Sequence, residues 1–137
     1  MIQDTARVSL HDGTQQAAIE VFPGRELLSF GQGRMTRARV LDRKVENKAD
    51  VVGLVLSSGQ KLTGSRGQMV AVCLSKKIKF RSMNDVKIGD RLRGERAGMP
   101  VIVNVVGLLF YPRKEVRLVG FELDHGKNFV AEGILCR

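Results

Sequence analysis

Residues 52–63 read Val52-Gly53-Leu54-Val55-Leu56-Ser57-Ser58-Gly59-Gln60-Lys61-Leu62-Thr63, and residues 119–130 read Val119-Gly120-Phe121-Glu122-Leu123-Asp124-His125-Gly126-Lys127-Asn128-Phe129-Val130. Set together without a gap, Val52/Val119, Gly53/Gly120, Leu54/Phe121, Leu56/Leu123, Gly59/Gly126 and Leu62/Phe129 coincide. Each copy reads as a strand, a tight glycine turn and the start of a second strand. A hairpin repeated at this distance is too widely spaced for a solenoid or a propeller blade. It predicts a duplicated all-β fold with two related halves.

The rest of the chain agrees with that class. Helix signals are nearly absent, and alternating or β-branched segments dominate. Arg7–Leu10 alternates into Asp12-Gly13, a hairpin signal because the turn needs positive φ. Strands are expected at Ala17–Phe22, Glu26–Phe30 (closed by Gly31-Gln32-Gly33), Met35–Glu46, Val51–Leu56, Lys61–Thr63, Gln68–Leu74, Ile78–Arg81, Val101–Tyr111, Glu115–Leu123, Asn128–Val130 and Ile134–Cys136. Met83–Lys87 fits a single helical turn. The expectation is one compact domain over residues 1–137, with about ten to twelve short strands.

Composition bounds the function. At 137 residues and 43% apolar content the chain can build a core without staples. No apolar run approaches a membrane span, and the first ten residues lack the pattern of a signal peptide. Two cysteines, Cys73 and Cys136, make no disulfide framework, so an intracellular, reducing setting is expected. With His11 and His125 they have no metal-ligand spacing, and no cofactor or metal is expected. The net charge of +9 would draw a polyanion. Against nucleic acid stand the few aromatic residues and the absence of the common binding motifs.

Both ends of the chain resemble a known family. Lys127-Asn128-Phe129-Val130-Ala131-Glu132-Gly133-Ile134-Leu135 is similar to the closing segment of an intein, of the type His-Asn-Phe-Val-Ala-Asn-Gly followed by an apolar strand and His-Asn. Met1-Ile2-Gln3-Asp4-Thr5-Ala6-Arg7-Val8 resembles an intein opening, which starts with Cys or Ser. Lys61-Leu62-Thr63-Gly64-Ser65-Arg66 resembles the Thr-x-x-His block, and Val86-Lys87-Ile88-Gly89-Asp90-Arg91-Leu92 the Gly-Asp loop that follows it. These blocks, in order over the whole chain, are the pattern of the hedgehog/intein (Hint) superfamily, at the length of a mini-intein without a homing endonuclease. The resemblance implies a pseudo-two-fold Hint fold, autocatalytic protein splicing and flanking host segments (exteins) as partners; a cytoplasmic monomer carried in a phage- or bacterium-encoded host protein is expected.

Residue by residue, the implied site is mostly substituted. Met1 stands where a thiol or hydroxyl would begin the acyl shift, and a thioether cannot attack. Thr63 matches the threonine of Thr-x-x-His, but Arg66 takes the histidine position and cannot shuttle a proton near neutral pH. Gly120 replaces a frequent aspartate and Lys127 a histidine. Arg137 occupies the place of the penultimate histidine, with no asparagine after it. A start methionine over an original cysteine and a removed asparagine would explain the ends, but not Arg66, Gly120, Lys127 or Arg137. The resemblance places Arg66 and Lys127 near one cleft, where two cations would hold an anion. Three readings stay open: an intein with an altered or blocked site; a Hint domain that has lost splicing and serves as a structural or nucleic-acid-associated module in a larger protein, a viral one among the candidates; and an unrelated β domain. Cys136 could be a displaced nucleophile or a core side chain, His125 a base or a turn residue, and Cys73 fits core packing.

Overall fold

The protein is described from a computed structural model covering residues 1–31 and 33–137. Fourteen strands appear among the described residues: β1 (Ile2–Gln3), β2 (Arg7–Ser9), β3 (Gln15–Ala17), β4 (Glu26–Gly31), β5 (Arg34–Lys48), β6 (Val51–Leu56), β7 (Lys61–Gly64), β8 (Met69–Leu74), β9 (Lys77–Ser82), β10 (Arg91–Arg96), β11 (Met99–Tyr111), β12 (Val116–Leu123), β13 (Phe129–Ala131) and β14 (Ile134–Cys136). All pairings are antiparallel, in the order β3-β2-β13-β14-β8-β10-β11-β6-β7-β1-β12-β5-β4, with β9 beside β8. The count exceeds the expected ten to twelve because several ladders are only two or three residues long. The expected break at Gly31-Gln32-Gly33 includes Gln32, which lies outside the described residues.

Local chemistry accounts for the turns. Asp12 Oδ1 accepts hydrogen bonds from Thr14 N (2.9 Å) and Thr14 Oγ1 (2.6 Å), and Gly13 supplies the positive φ between β2 and β3. The expected strand Ala17–Phe22 is corrected: Ala18–Glu20 forms a 3-10 turn. Tertiary bonds decide this. Ala18 N donates to Ala6 O and Ile19 N to Asp4 O, which pulls the chain out of any ladder. Met83–Asp85 is a second 3-10 turn, as the sequence suggests.

These two turns belong to the duplication. Ile19 N→Asp4 O (3.0 Å) has its counterpart in Asn84 N→Arg66 O (3.0 Å). Ala18 N→Ala6 O recurs as Met83 N→Gln68 O, both at 2.8 Å. Gly24 N→Val40 O recurs as Gly89 N→Val105 O, again both at 2.8 Å. Val40 N→Arg25 O recurs as Val105 N→Asp90 O, both at 2.9 Å. Gly24 and Gly89 hold φ of 96° and 94°. Long strands follow: β5 runs on from β4 as β11 runs on from β10.

The arms are exchanged between halves. β5 continues into β6 but pairs with β12, whereas β11 continues into β12 but pairs with β6. The ladders share a register. Gly53 faces Leu109 and Gly120 faces Lys44, while Leu56 faces Val105 and Leu123 faces Val40, with an irregularity beside each of the last two pairs. The alignment is therefore structurally correct for residues 52–56 with 119–123. The expectation of two hairpins is corrected in part. β6 and β7 form one, but β12 and β13 separate: β12 pairs with β1, and β13 with β2 and β14. β1 thus closes on β12 as β7 closes on β6. A single large cluster, including Ile2, Val8, Leu54, Leu62, Leu92 and Ile134, fills the interior where the halves meet.

Candidate functional site

The two ends of the described chain meet at one side chain. β1 is a two-residue strand held between β7 and β12, so Met1 sits at the seam of the two halves. The Met1 amine donates to Gln68 Oε1 at 2.6 Å and to Ser65 Oγ at 3.2 Å. The Met1 carbonyl accepts from Ser65 N at 2.9 Å and from Ser65 Oγ at 3.3 Å. From the same Gln68, Nε2 donates to the Arg137 carbonyl at 3.2 Å and to the Met69 carbonyl at 2.9 Å. Arg137 N in turn donates to Met69 O, so the last residue extends the ladder alongside β8. Gln68 is buried, and every polar atom of its amide is used. A neutral amide can accept at its oxygen and donate twice from its nitrogen, which is how Gln68 is used here.

Close packing fixes the approach. A Cβ at Gly64 would lie 2.6 Å from the Met1 carbonyl, and one at Gly120 would lie 3.1 Å from Met1 Cγ. Gly64 needs to be glycine for β1 to seat, whereas at Gly120 the flexible Met1 side chain would have only to shift by a few tenths of an ångström. Around the junction lies a cleft of about 420 Å³, lined by Met1, Gln68, Gly120, Phe121, Phe129 and Arg137 among others. Burial pushes the Met1 amine below its ordinary value. Cys136, in the last strand, is fully buried, and burial pushes its thiol up to about 12. A thiol held protonated inside the core cannot attack, so Cys136 is a core side chain.

The five positions singled out from sequence separate into two groups. Met1 and Arg137 come together at Gln68. Thr63, Arg66 and Lys127 make other contacts. Thr63 is buried in β7 with Oγ1 turned toward Gly53, its ladder partner. The Arg66 guanidinium lies over the Phe110 ring, 4.8 Å from its centroid. Lys127 Nζ donates to the Arg37 carbonyl at 2.8 Å. The expected Arg66–Lys127 pairing is not made: the two cations line different clefts and share no partner. The groups that face Met1 are two residues further along than the alignment placed them. Ser65-Arg66-Gly67-Gln68 presents Ser65 and Gln68 where Thr63 and Arg66 were expected. The missed signal was the β7 register, which puts Gly64, not Thr63, opposite Ile2.

Neighbouring residues have structural roles. Asn128 Oδ1 accepts from Ser29 Oγ and Phe30 N, both at 2.8 Å, and Nδ2 donates to Phe30 O at 3.0 Å, pinning β4 to the start of β13. His125 is an exposed turn residue with φ of 55°. Among the described residues no cluster of His, Cys, Asp or Glu could hold a metal ion, and no helix is long and apolar enough to cross a membrane.

Solved structures with this architecture are inteins and an intein-like domain. The bacterial intein-like domain from Clostridium thermocellum aligns with a TM-score of 0.84 at 15% identity, over 100% of this chain and 99% of its own. A DnaB intein from Synechocystis sp. PCC 6803 gives 0.84 at 13% identity, over 99% and 96%. The TvoVMA intein gives 0.83 at 15% identity, over 98% and 95%. No protein-family model and no curated protein matches the sequence. The chain has the hedgehog/intein fold over its whole length.

Proposed function

We propose that this Hint-fold chain is an intein-like self-processing domain whose site aligns the two chain ends but, in this sequence, lacks the groups that start splicing. The observation that carries the reading is Gln68, which binds Met1 N and the Arg137 carbonyl at once. In a longer precursor Met1 N would be the amide nitrogen of the bond to an upstream host segment, and the Arg137 carbonyl would lead to the downstream one. Ser65 and Gln68 would orient the upstream bond. Neither titrates near neutral pH, so neither can move a proton there. Met1 offers no nucleophile, and the Cys136 thiol is sealed in the core.

The test is to place the chain between two host segments and follow intact mass, with and without an added thiol. The unaltered chain should remain full-length. A Met1→Cys, Gln68→His double variant should show thiol-dependent cleavage before residue 1, because it restores a nucleophile and a titratable orienting group. Spontaneous splicing of the unaltered chain would overturn the inactive site. A folded double variant that never cleaves would overturn the self-processing reading.

A second reading is an inactive Hint insertion that associates with nucleic acid. The observation in its favour is the β8–β9 hairpin, where Lys76, Lys77 and Lys79 are exposed on an edge strand. Binding to RNA or DNA should then weaken steeply with salt, and no binding at low ionic strength would remove it.

A further inference from the structure

The duplication gives the molecule a second cleft. It measures about 280 Å³ and lies between β6, β11 and the 3-10 turn Met83–Asp85, with Val52, Leu54, Val86, Leu108 and Phe110 as apolar walls and Arg66 at its mouth. Register and hydrogen bonding identify its counterpart in the other half. Leu108 opposite Leu54 corresponds to Arg43 opposite Phe121, and Asn84 corresponds to Ile19. In that half Arg43 spans the corresponding position, and with Phe121 it also lines the cleft at Met1. Arg43 Nη1 donates to the Ile19 carbonyl, and its guanidinium lies 4.2 Å from the centroid of the Phe22 ring. In the second half Leu108 carries no donor, so nothing equivalent reaches across to the Asn84 carbonyl. Leu108 and Phe110 remain 45% and 49% exposed.

Charge differs in the same way. Asp4, the counterpart of Arg66, is paired with Arg117 at 2.9 Å. Among the described residues no carboxylate pairs with Arg66, and none lines the cleft. An apolar hollow thus has Asn84 on one wall, whose carbonyl takes no hydrogen bond among the described residues, and an unneutralised guanidinium at its mouth. Along the cleft β6 pairs with β7 and with β11, whereas β11 at Leu108–Phe110 pairs with β6 alone.

We propose that this cleft docks an extended peptide that inserts an aliphatic or aromatic side chain and presents an aspartate or glutamate two residues away to Arg66. The two-residue spacing puts both side chains on one face of an extended segment, and a backbone N–H of the peptide reaches the Asn84 carbonyl. The site uses none of the groups at the chain ends and does not depend on self-processing.

The probe is acetyl-Leu-Ser-Glu-Ser-Leu-amide, titrated into the ¹⁵N-labelled full chain. Amide shifts should cluster at Val52, Arg66, Asn84, Leu108 and Phe110. Replacing the peptide's glutamate by glutamine, or making Arg66→Gln, should each weaken binding roughly tenfold, the usual worth of a charge-assisted hydrogen bond. Leu108→Arg should abolish it by putting a cation into the apolar hollow beside Arg66, with the spectrum elsewhere unchanged. Shifts confined to the Met1–Gln68 cleft, or an affinity indifferent to Arg66→Gln, would overturn the proposal. So would sedimentation of the peptide-free chain as a dimer that Leu108→Arg dissociates, since the face would then belong to a second copy.

Discussion

Cys136 and Gln68 are close neighbours with opposite chemistry. Gln68 is neutral and fully bonded, so its role is independent of pH. Cys136 is a titratable thiol that the core keeps neutral well above its ordinary range. Its ordinary value is 9.0, and burial raises it to about 12. The folded state therefore holds this proton more tightly than the unfolded chain. The resulting stability is complete below pH 9 and is lost as pH rises toward 12, at a slope approaching about 1.4 kcal/mol per pH unit. Cys136→Ala leaves a small cavity but has no such slope. At pH 8 the variant should be less stable by about 1–2 kcal/mol. By pH 10.5 the gap should narrow by at least half in urea unfolding. A gap that stays constant would show that the thiol does not ionise on unfolding in this range. The arginines give a second lesson. Arg43, Arg66, Arg93 and Arg137 each lie over a phenylalanine ring, and Lys61 and Lys114 lie near Tyr111. Six such contacts is well above the usual one per 70–80 residues. Part of the positive charge is thereby committed to the protein's own surface, which lowers what the net charge alone implies for a polyanion.

Short elements are held here by side chains as much as by ladders, and Asn128 is the clearest case. It satisfies the buried Ser29 hydroxyl and both backbone groups of Phe30, so β4 is tied to β13 across the fold. Asn128→Ala should cost about 2–3 kcal/mol, because it leaves buried donors without partners. Amide exchange at Phe30 should quicken more than exchange in β6, which has no contact with Asn128. Equal quickening in both would mean global loss of stability and not a local pin. This element also shows what the sequence could reveal. The stretch from Lys127 to Leu135 was legible as a strand–turn–strand closing segment because Phe129, Val130, Ala131, Ile134 and Leu135 are buried and Glu132-Gly133 supplies two positive φ values. The separation of β12 from β13 was not legible, since alternation marks a strand but not its partner. The 3-10 turn at Ala18–Glu20 escaped for a similar reason: its cause is a bond from Ala18 N to the carbonyl of Ala6, distant in sequence. The contacts with Met1 come from Ser65 and Gln68, two positions beyond Thr63 and Arg66, and alternation in the sequence does not choose between Thr63 and Ser65. Only the pairing of Ile2 with Gly64 chooses between them.

The exchange of arms makes a claim about cooperativity that neither half could make alone. In a simple duplication each copy would contain the partner of its own long strand, and each could fold by itself. Here β5 finds its partner in β12 and β11 finds its partner in β6, while β1 lies between β7 and β12. The main hydrophobic cluster draws Ile2, Val8, Leu54 and Leu62 from one half and Leu92, Val103, Val119 and Ile134 from the other. Separated fragments 1–64 and 65–137 would each expose a long unpaired strand edge and about half of that cluster. At roughly 1.5–3 kcal/mol for each large apolar side chain, several such losses exceed the whole stability of a domain this size. Each fragment alone should therefore give the narrow amide dispersion of an unfolded chain. Mixed at equal concentration, they should recover the dispersed spectrum of the intact protein. They should do so slowly, because the ladders that join the two fragments, β5–β12, β6–β11, β1–β12 and β2–β13, all pair strands far apart in sequence. A fragment that shows native dispersion by itself would mean that the exchanged ladders are not what holds the halves together, and that each carries a sufficient core of its own.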